Sequence, residues 1–301
     1  MTSLTSSPAI LRVGVVGGGL MGSGIAQVAA QAGLATTVRE LNDSLAARAR
    51  DAITKSLDKA IAKGKLDPAS RDRALTNLTF TTQLADLASC DVVIEAVAED
   101  LEAKNALWHE MNGVCNQHTI FASNTSSLTI AAMAAASGRA DRLVGLHFFN
   151  PVPLMRLVEV VRTITTSAET FERAMQLVRL LGKEPIVARD SSGFVVNRLL
   201  IPYMLDAVRA LEHGVGTIAD IDAGMQLGAG HPMGPFTLLD FVGLDTVVRV
   251  AEVMFDEYRE QRFAPPPLLR RLVLAGHLGR KSGRGFYDHS VDPPVPSELA
   301  R

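Results

Sequence analysis

Cysteine is scarce in this chain: Cys90 and Cys115 are the only two in 301 residues. Two thiols make neither a disulfide framework nor a thiolate metal site, so no metal is expected. They fit a reducing compartment, where free cysteine usually serves as a small buried hydrophobe. An excess of one charge is lacking too. Thirty lysines and arginines stand against 32 acids, a net charge of −2. That argues against nucleic acid as a constitutive partner, while leaving room for a local basic patch on an anionic ligand. No apolar run is long enough for a membrane span, and no signal peptide or Arg-rich transit segment is apparent. The first nine residues are polar and uncharged. No membrane partner and a cytoplasmic location are expected.

What is present is a globular composition, 47% hydrophobic and 21% charged, in a chain long enough for two domains. The first part alternates short apolar runs with helical periodicity. Leu11–Val16, Thr36–Leu41, Leu78–Thr81, Asp91–Ala96, Thr119–Ala122 and Leu143–Leu146 read as strands. Helices are expected over Leu20–Gln31, Asp43–Lys63, Leu101–Val114 and Leu128–Ala136. Continuous apolar strands separated by helices imply a Rossmann-type, mostly parallel sheet covered on both faces. Two more strands, Leu157–Val161 and Pro185–Ala188, precede a polar hinge at Asp190–Gly193, and beyond it only helices are expected. The chain thus reads as α/β, with a nucleotide-binding domain over 1–189 and an all-α domain over 190–301.

Val13–Val16 runs into Gly17-Gly-Gly19-Leu-Met-Gly22, the G-x-G-x-x-G pattern of a dinucleotide site. Gly17 permits the tight turn, Gly19 lets backbone approach pyrophosphate, and Gly22 lets helix pack on strand. The motif alone also describes an empty β–α turn. Glu40, at the end of the second strand, adds a carboxylate suited to the ribose hydroxyls and repels a 2′-phosphate, so NAD is favoured over NADP. Arg39 should point to the opposite face of the strand.

His147 follows an apolar strand, and its imidazole is suited to take a hydroxyl proton near neutral pH. Glu159 lies in the apolar run Arg156–Val161, where a buried carboxylate needs a partner and an imidazolium is a good one. Either residue alone reads equally as a satisfied core group. Ser123-Asn-Thr-Ser126-Ser127 reads as a helix cap before Leu128, with another hydroxyl available beside a substrate oxygen. Glu99 and Lys104, five apart at a helix start, read by themselves as a solvated face.

Taken in order, G-G-G-L-M-G, S-N-T-S-S-L, G-L-H-F-F-N-P-V-P, L-V-E-V-V, G-F-V-V-N-R, H-P-M-G-P and K-S-G-R-G-F-Y resemble the L-3-hydroxyacyl-CoA dehydrogenases, most nearly the single-copy bacterial 3-hydroxybutyryl-CoA dehydrogenases. The resemblance runs from Leu11 to Asp288. It implies His147 as the base, Glu159 as its charge partner, and Ser126 and Asn197 as hydrogen-bonding partners of the substrate. It implies nucleotide contacts from Gly17, Gly19, Leu20, Met21, Gly22, Glu40, Glu99, Lys104, Asn150 and Lys281. Coenzyme A contacts fall on Ser56 and Lys63, in a Lys-rich stretch from Lys55 to Lys65. Two positions depart from the family pattern: Glu40 where Asp is common, and His231 where an aromatic is often found.

The expected activity is therefore NAD-dependent, reversible oxidation of an L-3-hydroxyacyl-CoA to the 3-oxoacyl-CoA. An L-gulonate-type sugar-acid dehydrogenase of the same superfamily is disfavoured by Ser56, Lys63 and Lys65. A non-catalytic nucleotide-binding protein is disfavoured by the joint presence of Ser126, His147, Glu159 and Asn197. Helical segments apolar on several faces, such as Leu199-Leu-Ile and Val247–Met254, imply a homodimer through the helical domain.

Overall fold

The computed structural model describes residues 10–298. The polar lead-in read for the first nine residues lies outside them. The chain forms two compact units that meet in sequence between Ser191 and Ser192.

The first unit runs β1 (Arg12–Val16), α1 (Leu20–Gln31), β2 (Ala35–Arg39), α2 (Asp43–Ala62), α3 (Pro68–Thr76), β3 (Leu78–Thr81), β4 (Val92–Glu95), α4 (Leu101–Val114), β5 (Ile120–Ser123), α5 (Ile130–Ala136), β6 (Leu143–Phe148), β7 (Leu157–Arg162), α6 (Ala168–Leu180) and β8 (Glu184–Arg189). Its strands form one sheet in the order β3-β2-β1-β4-β5-β6-β7-β8. Neighbours are parallel throughout except β6 and β7, which run antiparallel. Strand order reverses between β1 and β4. In an open α/β sheet such a reversal leaves a crevice at the carboxyl ends of the two strands, where ligands bind. Val92–Ile94 and Ile120–Ala122 are wholly buried, as a sheet covered on both faces requires.

Local chemistry sets these elements. In α2, Ala46, Ala49, Ile53 and Leu57 recur at helical spacing and are buried, while the Asn42 side chain caps the start by accepting from Leu45 N–H at 2.9 Å. Two helices, α3 and α6, go beyond the sequence reading. Each has a cap visible only once the turn is located: Asp67 accepts from Ser70 N–H, and Ser167 from Thr170 N–H. α5 starts at Ile130 rather than Leu128. Its first N–H groups are satisfied from 60 residues away by Asp190, which accepts from Ile130 N–H and Ala131 N–H at 2.8 and 2.7 Å.

The second unit comprises α7 (Val196–Glu212), α8 (Ile218–Ala223), α9 (Pro235–Val242), α10 (Leu244–Tyr258) and α11 (Pro267–Leu274), then a small antiparallel pair, β9 (Tyr287–Asp288) and β10 (Val295–Pro296). The unit is helical as expected, but this pair corrects the expectation of no strand after the hinge. Asp240 accounts for it, accepting from Phe286 and Tyr287 N–H at 2.9 and 2.8 Å and so fixing the extended backbone. α9 has Pro235 at its first turn, where a proline's missing N–H costs nothing. Leu205, Phe236, Leu239, Val247, Met254 and Phe286 form part of the core. The apolar residues of α10 are therefore spent inside their own unit, whereas Leu199, Leu227 and Leu274 are exposed. No helix among the described residues is long and apolar enough to cross a membrane.

Candidate active site

The glycine loop closes the carboxyl end of β1. Gly17 has φ +90°, and a Cβ there would press on the Ala96 carbonyl at 2.8 Å. A Cβ on Gly22 would overlap the Gly17 carbonyl, whereas one on Gly19 would meet nothing within 4 Å. The loop is thus tight on its inner side and open at Gly19, where the first N–H groups of α1 have no side-chain cap. Leu20 and Met21 form the first turn of that helix, and Leu20 is exposed. Glu40 follows β2 and reaches back: its Oε1 accepts from Gly18 N–H at 2.6 Å, its Oε2 from Leu41 N–H at 3.1 Å. Arg39 turns aside, its Nε donating to the Thr82 carbonyl at 3.4 Å. A cavity of about 340 Å³ opens here, with Gly19, Glu40, Arg48, Ser56, Asn150 and Val152 on its walls.

His147 lies within β6 rather than beyond its end, and its register partner across the antiparallel junction is Glu159 of β7. Directly opposed residues in such a pair bring their side chains together on one face. His147 Nδ1 is 2.6 Å from Glu159 Oε2, with the carboxylate fully buried and the imidazole nearly so. The loop after β5 is tied to the same strand, since Asn124 Oδ1 accepts from Phe148 N–H at 3.0 Å. In that loop Thr125 Oγ1 accepts from Leu128 N–H at 3.0 Å, closing a turn ahead of α5 rather than supplying the helix cap expected of one hydroxyl, since α5 starts at Ile130.

Glu99 and Lys104 do not form a solvated face. Lys104 is 1% exposed, with Nζ 2.5 Å from Glu95 Oε1 and 3.2 Å from Glu99 Oε2. Glu99 in turn holds the Ser126 loop: its Oε1 accepts from Thr125 Oγ1, from Ser126 N–H at 3.1 Å and from Ser127 Oγ at 3.3 Å. Burial opposes the charge on Glu99, but the nearby Lys104 ammonium and these hydrogen bonds outweigh it and hold its pKa below the ordinary carboxylate value. Glu95, fully buried, is one of two residues that sequence reasoning missed. Its signal is a carboxylate directly after Val92-Val-Ile94, placed where a parallel strand meets its ligand-binding edge. Lys183 was missed as well. It is buried and donates to the Val152 and Met155 carbonyls at 2.6 and 2.8 Å, pinning the loop that carries Asn150, and burial lowers its pKa.

Ser56 and Lys63 lie seven residues apart along α2 and its C-cap, two turns on one face, with Lys63 exposed. Asn197 and Lys281 belong to the second unit. Asn197 stands in the first turn of α7; Lys281 forms an ion pair with Asp245 at 2.5 Å. The roles of these two rest on the family resemblance alone. His231, in the same unit, meets the Tyr203 hydroxyl through Nδ1 at 3.1 Å.

The open Gly19, the uncapped start of α1 and the Glu40 carboxylate together fit a dinucleotide: backbone N–H groups for pyrophosphate and an acceptor for ribose hydroxyls. Comparison with known proteins agrees. Residues 12–191 match the family model described as 3-hydroxyacyl-CoA dehydrogenase, NAD binding domain, and residues 193–289 match the same family's C-terminal domain. A 3-hydroxybutyryl-CoA dehydrogenase of Mycobacterium tuberculosis is 50% identical, covering 94% of this chain and 100% of that protein. Among solved structures, FadB2 of M. tuberculosis superposes with a TM-score of 0.92 at 49% identity, over 93% of this chain and 99% of that one. The (S)-3-hydroxybutyryl-CoA dehydrogenase of Ralstonia eutropha gives 0.91 at 42%, over 94% and 100%. The chain belongs to the 3-hydroxyacyl-CoA dehydrogenase family, enzymes that use NAD.

Proposed function

We propose that this enzyme interconverts L-3-hydroxyacyl-CoA and 3-oxoacyl-CoA, with 3-hydroxybutyryl-CoA as a substrate, and that His147 is the base and Glu159 its charge partner. The observation that carries the reading is the buried 2.6 Å contact between His147 Nδ1 and Glu159 Oε2. With Nδ1–H donating to the carboxylate, proton transfer falls to Nε2, which takes the substrate hydroxyl proton as the carbonyl forms. NAD, when bound, supplies the acceptor for the hydride leaving C3. The imidazolium produced in that step stands against a carboxylate already oriented toward it, so little reorganisation is needed. Ser126, fixed through Glu99, is assigned to the substrate oxygen, and Asn150 to the nicotinamide side.

Ser56 on the cavity wall and Lys63 two turns along the same helix support a CoA thioester over a sugar acid, because only the former needs a cationic surface for nucleotide phosphates. Two free, buried thiols suit a cytoplasmic enzyme. Leu199, Leu227 and Leu274, exposed on the helical unit, support pairing of two copies through that unit. Steady-state assays with acetoacetyl-CoA and NADH, and with L-gulonate and NAD, test the substrate class. Turnover of the thioester is expected; oxidation of L-gulonate at a comparable efficiency, with none on the thioester, would reverse the assignment.

A further inference from the structure

We propose that Glu95 is a positioning residue for the nucleotide edge of the site: from beneath the surface it holds Lys104 and Ser123, and so leaves Glu99 available to the Ser126 loop. The proposal rests on the reading above, in which the glycine loop and Glu99 face the cofactor.

Glu95 ends β4 at the point where strand order reverses. Its register partners are Val16, the residue before the glycine loop, and Ser123, the residue before the Asn124–Ser127 loop. One buried carboxylate thus stands between the two loops that build the site. A carboxylate sealed among apolar strands must be compensated by hydrogen bonds or an opposite charge. Its donors all come from this edge. Oε1 accepts from Val97 N–H at 2.8 Å and from Lys104 Nζ at 2.5 Å, and Oε2 from Ser123 Oγ at 2.6 Å. Ser123 Oγ in turn accepts from Thr125 N–H at 3.3 Å, and Val97 lies against Gly17.

Lys104 explains why a second carboxylate is required. At 1% exposure its ammonium contacts only groups of the protein, so its influence on a nucleotide passes through Glu99. Glu99 has two competing sets of partners: Lys104 on Oε2, and Thr125, Ser126 and Ser127 on Oε1. A buried ammonium with a single counter-ion would draw that carboxylate fully onto itself. With Glu95 taking the shorter contact, Glu99 keeps one oxygen for the loop. Removal of the Glu95 charge should therefore swing Glu99 inward, release Ser126 N–H and disturb the surface that receives the cofactor, while leaving the His147–Glu159 pair intact.

The test is steady-state reduction of acetoacetyl-CoA by NADH in the full-length enzyme, with circular dichroism and Tm measured on each variant. For Glu95→Gln the KM for NADH should rise about tenfold, with any fall in kcat at saturation smaller than that rise. Lys104→Met removes the ammonium that would draw Glu99 inward, so adding Glu95→Gln to it should raise the KM for NADH no further. Glu95→Asp keeps the charge but draws it back by one methylene, and should lie between wild type and Glu95→Gln. An unchanged KM for NADH in folded Glu95→Gln overturns the proposal. So does a fall in kcat alone, since a purely structural role lowers the active fraction without moving KM. If Glu95→Gln does not fold, Glu95→Asp decides: a KM raised about threefold or more supports the proposal, and a wild-type KM overturns it. His147→Gln, run alongside, separates the two levels. If it is inactive and Glu95→Gln behaves as wild type, only this proposal falls; if it turns over normally, the reading of the site falls and takes this proposal with it.

Discussion

Replacing Glu159 by Gln removes a charge while keeping nearly the same shape and an oxygen for His147 Nδ1–H, so it isolates the electrostatic share of the pair. The carboxylate is fully buried and its oxygen lies 2.6 Å from the imidazole nitrogen. Unit charges centred about 4 Å apart interact by about 4 kcal/mol at an effective dielectric constant of 20, an upper bound on what the substitution forfeits. The amide retains a neutral hydrogen bond, and hydrogen bonds to charged groups typically contribute about 1.5–3 kcal/mol net. The loss applies to the imidazolium formed as the hydroxyl proton arrives, not to the neutral imidazole that precedes it. It should therefore appear in kcat for oxidation, as a fall of about 10- to 150-fold. The assay is NADH production from L-3-hydroxybutyryl-CoA at saturating NAD and neutral pH, on protein whose circular dichroism matches wild type. A kcat within about threefold of wild type would mean that Glu159 is merely a satisfied core carboxylate.

Other consequences are equally specific. The Glu40 carboxylate should disfavour a 2′-phosphate by at least ~1.4 kcal/mol, so catalytic efficiency should favour NADH over NADPH by about tenfold or more; equal efficiencies would remove Glu40 from that role. Because the pKa of Glu99 is held below the ordinary 4.5, its ionised form adds stability that is present above that value and lost as pH falls through the lower folded value. Glu99→Gln should accordingly flatten the acid limb of Tm against pH, and an unaltered acid limb would contradict the assignment. Burial pushes the Cys90 thiol up to about 12 and the Cys115 thiol to about 11. Native protein should then resist alkylation near neutral pH and label at both positions only when unfolded. Light scattering should give about twice 32.2 kDa, and a monomer mass would remove the proposed dimer.

The sequence and the structure agree best where one local rule acts alone. α1 and α4 have the bounds read from the sequence, since each combines helical apolar spacing with a clear break. The parallel sheet followed from apolar strands alternating with helices, and the glycine loop from three positions where a Cβ has either no room or must not intrude. His147 and Glu159 were each ambiguous alone; only the antiparallel register of β6 and β7 makes them partners. What stayed hidden depended on distant residues. The start of α5 is set by Asp190, and β9 is fixed by Asp240. Glu99 and Lys104 looked like a surface pair because their spacing carries no sign of the buried Glu95 that shares the Lys104 ammonium.

The central claim is that His147 takes the substrate proton. It is tested most directly by His147→Gln, measured for turnover and for NADH affinity on the same preparation. Turnover should fall by ~100-fold or more, the usual contribution of a positioned general base, with NADH binding unchanged. Near-wild-type turnover by the folded variant would contradict it.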